Sequence, residues 1–530
     1  FGTKRFQSLT AVVAATATLA DAKTLTVSGL QPAPDGSFGS WGGIPAQAAT
    51  VVAPIEFRKG VAEVPLKLNG ASTQTLTFSV LGVLQPAVPF TFAVTAAAPA
   101  KLQIQTQPSG AVDGEPLAVQ PEIRMVDSYD NPTNAGQAVT AEAISGTSLL
   151  TGTTTVNATN GVATFTDLVL SGASSDVKLS FTSTGLTTVT SEPFPVEAPF
   201  SEGKGTDESP YVITKPEELD AVRNYLFSHF VLASDIDLSG YANGEGWEPI
   251  GTDTRPFEGT FNGNKYKITG LKIDRKRSNL GLFGSIKDAR ISNLGIEGAN
   301  VKGDAKGDNT VLLWNIGILI GYFKSGTVEN VYATGNVETS ASSAPYYTGG
   351  LVGRMDASAV LSRSYSDAKV EGTWYVGGLA GYNEGTITQS YAVGNMSSNA
   401  QHLGGLVGAN NGSIKQSFAQ VTVTGGTRYV GGFTGSNAGT IDECYAAGII
   451  NSGAAQDKGG LTGSNAGSVA KSYYDSELTE LSDSDRGTPL TTSNMMKQVS
   501  FTGWSFDGST PVWGIVEGNS YPYLLWQQQP

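Results

Sequence analysis

Two rhythms of apolar and polar residues run along this chain, and they change over near residue 199. Up to about Ala198 the pattern is short period-two alternation, as in Leu76-Thr77-Phe78-Ser79-Val80 and Lys178-Leu179-Ser180-Phe181, with Gly, Pro and Asn at the breaks. Alternation of β-branched and polar residues predicts half-buried strands. After the joint Phe194-Pro-Val-Glu-Ala-Pro199 a longer rhythm takes over. Gly-Gly-Leu-x-Gly begins at Gly349, Gly377, Gly404 and Gly459, and the variant Gly-Gly-Phe-Thr-Gly begins at Gly431, at intervals of 28, 27, 27 and 28 residues. A fixed period in the twenties is the mark of a solenoid.

Two more columns keep the same beat. Tyr365, Tyr391, Phe418, Tyr445 and Tyr473 each follow a Ser or Cys, and the turns Asn383-Glu-Gly-Thr-Ile387, Asn411-Gly-Ser-Ile414, Asn437-Ala-Gly-Thr-Ile441 and Asn465-Ala-Gly-Ser-Val469 fall between. The apolar runs are short, and none is long enough for an amphipathic helix, so the solenoid predicted is a parallel β-helix. Stacked coils turn each column into a ladder: Leu351, Leu379, Leu406 and Leu461 in the core, asparagines at a turn, aromatics in a file. The glycines are expected to supply positive-φ corners and close coil packing.

The first part of the chain also repeats. Gly60-Val61-Ala62, Gly70-Ala71-Ser72 and Phe78 recur as Gly161-Val162-Ala163, Gly172-Ala173-Ser174 and Phe181, 101 to 103 residues later. Two copies of a β-sandwich of about a hundred residues account for that offset. The expected architecture is therefore all-β: sandwiches over 1–97 and 98–198, a parallel β-helix with an N-terminal cap over 199–485, and a C-terminal cap over 486–530.

Particular stretches resemble known families. Lys101-Leu-Gln-Ile-Gln-Thr-Gln-Pro108 and Ile123-Arg-Met-Val-Asp-Ser-Tyr-Asp-Asn-Pro132 resemble bacterial Ig-like domains, which implies spacer or stalk modules. From Gly205 to Trp526 the chain resembles the GLUG-motif family of bacterial surface and secreted proteins. Beyond the repeats, the resemblance rests on Ser209-Pro-Tyr-Val-Ile213, Leu232-Ala-Ser-Asp-Ile-Asp-Leu238, Trp247-Glu-Pro-Ile-Gly251 and Phe257-Glu-Gly-Thr-Phe-Asn-Gly263. At the other end it rests on Gly503-Trp504, Trp513-Gly-Ile515 and Tyr521-Pro-Tyr-Leu-Leu525. It implies an extracellular or cell-surface location and terminal segments that cover the open ends of the solenoid. A helix over Pro216 to Ser228, capped at Thr214, is expected in the first of these. Some members of the family carry a zinc peptidase, but this sequence has no HExxH.

Composition narrows the function. In 530 residues Asp and Glu outnumber Lys and Arg by 47 to 33, a net charge of −14, which argues against nucleic acid and anionic membrane surfaces as partners. The single cysteine excludes an intrachain disulfide framework and CxxC chemistry. No stretch is long and apolar enough to span a bilayer.

Catalytic and ligand-binding candidates divide unevenly. Asp235 and Asp237 sit two apart on one strand face, and Lys265, Lys267, Lys272, Arg275, Lys276 and Arg277 form a basic cluster. Either set would suit a carbohydrate-active enzyme, yet the aspartates lie in the start motif, where a structural role weighs more, and the lysines fit a solvated edge. Asp127, Asp130 and Asn131 offer oxygens to calcium, against a simpler Asx turn. No other cofactor is expected. His402 takes the place of a tyrosine in its column, and Cys444 the place of a serine, so neither is expected to be reactive.

The stronger signal is aromatic. Trp314, Tyr346 and Trp374 lie three residues before the Gly of their coils, and Tyr347, Tyr375 and Tyr429 lie two before. One of these columns is expected to face solvent as a file of rings, a platform for a polysaccharide or a partner protein. The function expected is non-catalytic: an adhesin, surface-layer or matrix component whose β-helix binds or displays on an Ig-like stalk. A polysaccharide lyase or glycoside hydrolase and a self-assembling filament subunit are the competing readings.

Overall fold

The computed structural model describes residues 9–14, 22–56, 61–80, 89–146, 148–303, 314–339, 346–453 and 455–528. It divides into two compact units, Phe1–Pro199 and Phe200–Pro530.

The first unit holds two β-sandwiches with separate cores. In one, a mainly antiparallel sheet containing Thr50–Glu56, Ala22–Ser28, Thr73–Val80 and Pro89–Ala93 faces a second sheet built on Val61–Leu68. Strand Thr50–Glu56 alternates buried and exposed at every residue, and its Val51, Ala53 and Ile55 meet Leu25, Val27, Trp41 and Leu76. The other sandwich closes over Ile123, Met125, Phe165, Leu170 and Phe181.

The second unit consists of parallel strands stacked coil on coil, as the repeat predicts. Twenty-five strands of the described residues, from Tyr211–Ile213 to Thr488–Leu490, join one parallel sheet that winds around the coils, and six more, from Trp314–Ile316 to Asp457–Gly459, form another. Equivalent residues pair in register: Tyr391 with Phe418, Phe418 with Tyr445, and Gly377 with Gly404 and Gly431 in turn. Leu351, Leu379, Leu406 and Leu461 are fully buried.

Two polar ladders hold the coils in register. Asn383, Asn410, Asn437 and Asn465 pass a hydrogen bond from amide Nδ2 to the next Oδ1 at 2.7–2.8 Å, and the first three are buried. Ser364, Ser390, Ser417 and Ser472 each accept from a backbone N–H of the preceding coil and donate to the carbonyl two residues back; Cys444 stands in this file, its thiol facing the Asp442 carbonyl at 3.2 Å. Buried groups are thereby paired by their own repeat.

The glycine expectation holds in part. Gly326, Gly335, Gly394, Gly425 and Gly426 have positive φ, but none of Gly349, Gly350, Gly377, Gly378, Gly404, Gly405, Gly431, Gly432, Gly459 and Gly460 does, and the same backbone also falls on Asn330, Arg363, Gln389, Gln416, Glu443 and Lys471, two residues before each aromatic. The paired glycines serve space. A Cβ on Gly405 would lie 2.1 Å from the Gly432 carbonyl oxygen and 3.2 Å from the Ala419 Cβ, so adjacent coils and the opposite wall leave no room.

Both ends of the solenoid are covered, though not in the same way. At the start, Phe200 stacks on Tyr211 at 4.3 Å and Leu219 of helix Pro216–Ala221 is buried. That helix is shorter than expected and begins after Lys215; Glu218 accepts from the Thr214 N–H and hydroxyl, so the threonine is the donor of the capping contact. At the other end Thr488–Leu490 adds a last parallel strand, and the segment after it turns back along the side of the coils. There Met495, Phe501, Trp504, Trp513 and Leu524 pack on the aromatic file Tyr391, Phe418, Tyr445 and Tyr473. The C-terminal cap thus runs along the flank of the rod.

Candidate functional site

The column two residues before the paired glycines forms an outer face. Tyr347, Tyr375, His402 and Tyr429 lie in successive strands, paired one to the next, and all are half-buried. Their rings stand 5.0, 4.4 and 4.9 Å apart, the first two pairs stacked and the last tilted. A neighbouring column, five residues after the first glycine, brings Tyr322, Arg354 and Tyr382 alongside. The Arg354 guanidinium lies 5.2 Å from the Tyr322 ring, 5.7 Å from Tyr382 and 5.8 Å from Tyr347, and Arg428 sits 4.6 Å over Tyr429. Such contacts are cation–π in character.

Carboxylates pin this cluster. Arg354 Nε donates to Asp356 at 2.9 Å, the Tyr322 hydroxyl to the other Asp356 oxygen at 2.6 Å, and the Tyr382 hydroxyl to Glu384 at 2.9 Å. Burial, reinforced by the Asp356 hydrogen bond, pushes the Tyr322 phenol up to about 12. Burial and then Glu384 raise Tyr382 likewise. Burial opposes the charge of Arg354, but Asp356 and the adjacent tyrosines hold it protonated. His402 is pushed down to about 4 by burial and then by Arg428, so it is neutral at physiological pH, with Nδ1 2.8 Å from the Ser436 hydroxyl.

The geometry changes what the file can do. Rings stacked on each other present edges and hydroxyls outward, while their faces are taken by neighbours and by Arg354 and Arg428 at the two ends. A sugar stacks on an open face, whereas a protein surface meets edges and polar tips equally well.

The other predicted residues are placed as follows. Trp314 and Tyr346 are fully buried, their rings 5.6 Å apart, so these two cannot meet a ligand; their column turns into the coil at that point. Trp374 is half-buried beside the face, and its carbonyl accepts from His402 N–H. Tyr322, Arg354, Tyr382 and Arg428 were not singled out from sequence, although Tyr322, Arg354 and Tyr382 share one position of the repeat.

The calcium reading of Asp127, Asp130 and Asn131 is replaced by a clasp. Asp127 accepts from the N–H groups of Ala97, Tyr129 and Asn131, and both its oxygens accept from Asn131 Nδ2, at 2.9–3.1 Å. Asn131 then reaches the first sandwich, donating to the Asn69 carbonyl at 2.6 Å and accepting from Ala71 N–H at 2.8 Å. Asp130 pairs with Lys101 at 2.7 Å. Oxygens that face N–H donors are poor ligands for a hard cation. Despite a partial burial that raises it, these hydrogen bonds hold the Asp127 carboxyl below the usual range.

The enzymatic candidates are likewise in structural use. Asp235 accepts from Lys267 N–H, and Asp237 from the N–H and hydroxyl of Ser239. Lys267 pairs with Glu297 at 2.8 Å, Arg275 with Glu245 at 3.0 Å and with Glu248, and Arg277 with Glu248. The acids and bases that looked separate in sequence meet across one coil step. Cys444 is buried, and burial raises its thiol far above its ordinary value.

The family described as the GLUG motif matches residues 372–397, so the chain carries that motif and the resemblance read from its repeats stands. A candidate Gly-rich membrane protein of Evansella cellulosilytica is 42% identical over 136 residues, 23% of this chain and 16% of that relative. Halomucin of Haloquadratum walsbyi is 32% identical over 166 residues, 29% of this chain and 2% of its own length. The chain therefore spans a small part of these relatives. A Bacteroides ovatus chain solved as a candidate immunoglobulin A1 protease aligns over 62% of this chain and 95% of its own, with 21% identity and a TM-score of 0.43. Among the described residues no helix is long and apolar enough to cross a membrane.

Proposed function

We propose that this chain is a non-catalytic cell-surface protein that holds a partner through the tyrosine and arginine face of its β-helix, with the two β-sandwiches as spacer. The observation that supports it is the cluster of Tyr347, Tyr375, Tyr382, Tyr429 and Arg354 on one flank. Tyr and Arg are the residues that dominate binding energy at protein interfaces, because they offer large contact area with few rotatable bonds and a polar tip. Here each is already held by a carboxylate or a neighbouring ring, so little order is lost on binding. The names of the relatives, a membrane protein and a halomucin, favour the surface setting.

Ring faces occupied by each other favour a matrix or cell-surface protein over a stacked polysaccharide. The test is retention of the purified chain on an extracellular-matrix protein panel and a glycan array, read also for released products. Retention on protein, reduced at least tenfold in the Tyr375→Ala, Tyr382→Ala double variant, is the expected result. Retention that ignores those substitutions removes this face from the reading, and released oligosaccharide or peptide would replace it with an enzyme.

A further inference from the structure

A second site lies where the C-terminal cap stops. The file Tyr332, Tyr365, Tyr391, Phe418, Tyr445 runs down the β-helix with rings 5.1, 4.7, 4.7 and 5.0 Å apart and within 7° of parallel. The cap covers this file from Tyr473 back to Tyr391 and ends on it, Trp526 lying 5.8 Å from the Tyr391 ring. Beyond Trp526 the file continues through Tyr365 and Tyr332, both half-buried, as the floor of a groove of about 840 Å³. Asn330, Arg363, Gln389, Pro511 and Trp526 also line it.

The cap shows how this surface is recognised. It lays a chain against the tyrosine edges: the Tyr445 hydroxyl donates to the Pro522 carbonyl at 2.7 Å. Two of its three indoles then seat on one repeated acceptor, the carbonyl of the positive-φ turn residue. Trp526 Nε1 donates to the Gln389 carbonyl at 2.9 Å, and Trp504 Nε1 to the Lys471 carbonyl at 2.8 Å. Arg363, Asn330 and Asn293 hold the same turn position, with φ of 43°, 55° and 54°, in the three coils that line the groove beyond the cap. The groove thus continues an interface already filled by polypeptide, with the same floor and the same turn geometry repeated at coil spacing.

We propose that this groove binds an extended polypeptide segment bearing a proline and, four residues on, a tryptophan, as Pro522 and Trp526 are spaced in the cap. The segment lies along Tyr365 and Tyr332, the Tyr365 hydroxyl donating to its main chain near the proline and its indole directed at the Asn293 turn two coils on, as the Tyr445 hydroxyl and the Gln389 turn are placed in the cap. Ring edges on the floor in place of open faces set this ligand apart from a glycan. The site is distinct from the Tyr347 face and does not depend on it.

The probe is a synthetic peptide with the sequence of residues 520–527, titrated into the full chain and followed by calorimetry, beside the same peptide with its tryptophan changed to alanine. Saturable one-to-one binding, at least tenfold weaker for the alanine peptide and for the Tyr365→Ala chain, is expected. Tyr365→Phe keeps the stack and deletes only the hydroxyl, so it separates loss of contact from loss of fold; a severalfold weakening at unchanged melting temperature is expected. Absence of binding, or binding that is unchanged in both the Tyr365→Ala and the Tyr365→Phe chains, overturns the proposal. Binding of array glycans abolished by Tyr365→Phe overturns it too, in favour of a carbohydrate site.

Discussion

Asn410 is wholly buried, yet it makes contacts with three coils, giving Nδ2 to Asn437 and receiving Asn383 at its Oδ1. Replacing it by alanine strands a buried donor on one side and a buried acceptor on the other. Asn410→Ala is expected to cost about 1–3 kcal/mol, read by urea unfolding of the β-helix. Cys444→Ser should be close to neutral by the same measurement, since the serines of that ladder make the same contacts, and the native thiol should resist alkylation until the chain unfolds. His402 gives a pH signature. Its folded-state value lies near 4 and its ordinary value near 6.5, so between those limits the unfolded chain binds a proton that the folded chain refuses. Stability is therefore expected to fall on acidification from about pH 6.5 toward pH 4. His402→Tyr, which copies the neighbours in its file, should lose less melting temperature than the native chain between pH 7 and pH 5.

At the level of the strand and turn, the repeat was legible because three columns shared one period, and Leu351, Leu379 and Leu406 are buried as that period requires. The turn chemistry was hidden for a physical reason. Glycine is the expected carrier of positive φ and is one at Gly394 and Gly425, but Arg363, Gln389 and Lys471 adopt it too, offset by side-chain contacts such as Gln416 with Glu443 at 2.7 Å. The paired glycines answer a different demand, the distance between coils. Gly405→Ala drives a Cβ against the backbone of the next coil, and a loss on the order of 3 kcal/mol is expected by denaturant unfolding. Ala419→Gly, on the wall opposite, should cost much less, because it removes volume where space is short. The aromatic columns show the same division. Spacing located Tyr347, Tyr375 and Tyr429, but which of two adjacent columns faces outward depends on how the chain bends at the glycines, and that sent Trp314 and Tyr346 inside. Tyr382 and Arg354 escaped notice because identity varies along their column, from Tyr322 to Ala409 and Ser436, while position does not.

On the scale of the molecule, each unit has cores of its own, the sandwiches around Ile123 and Leu25 and the β-helix around its leucine ladder. A unit with its own core folds independently. Residues 200–530 produced alone are expected to give a cooperative thermal transition within a few degrees of the matching transition in the whole chain, measured by circular dichroism. A β-helix segment that fails to fold alone would show that the sandwiches are needed to complete it. The C-terminal cap is a strap along the flank, where the sequence resemblance implies a lid over the open end. Sequence marks its tryptophans as core, but not the surface they cover, because Trp526 meets Gln389 across 137 residues of chain.

The ladders have a consequence for inheritance. Gly377, Gly404 and Gly431 are superposed steps of one staircase, with the asparagine, serine and aromatic files passing through each. Excision of residues 378–404 would join Gly377 to Gly405 with every file still continuous, and duplication would do the same. Unequal crossing-over between copies therefore changes the reach of this rod in whole steps, whereas a deletion that does not remove whole coils breaks all the files at once. A gene for such a protein can vary in length between strains far more freely than it can vary in the residues of a single coil.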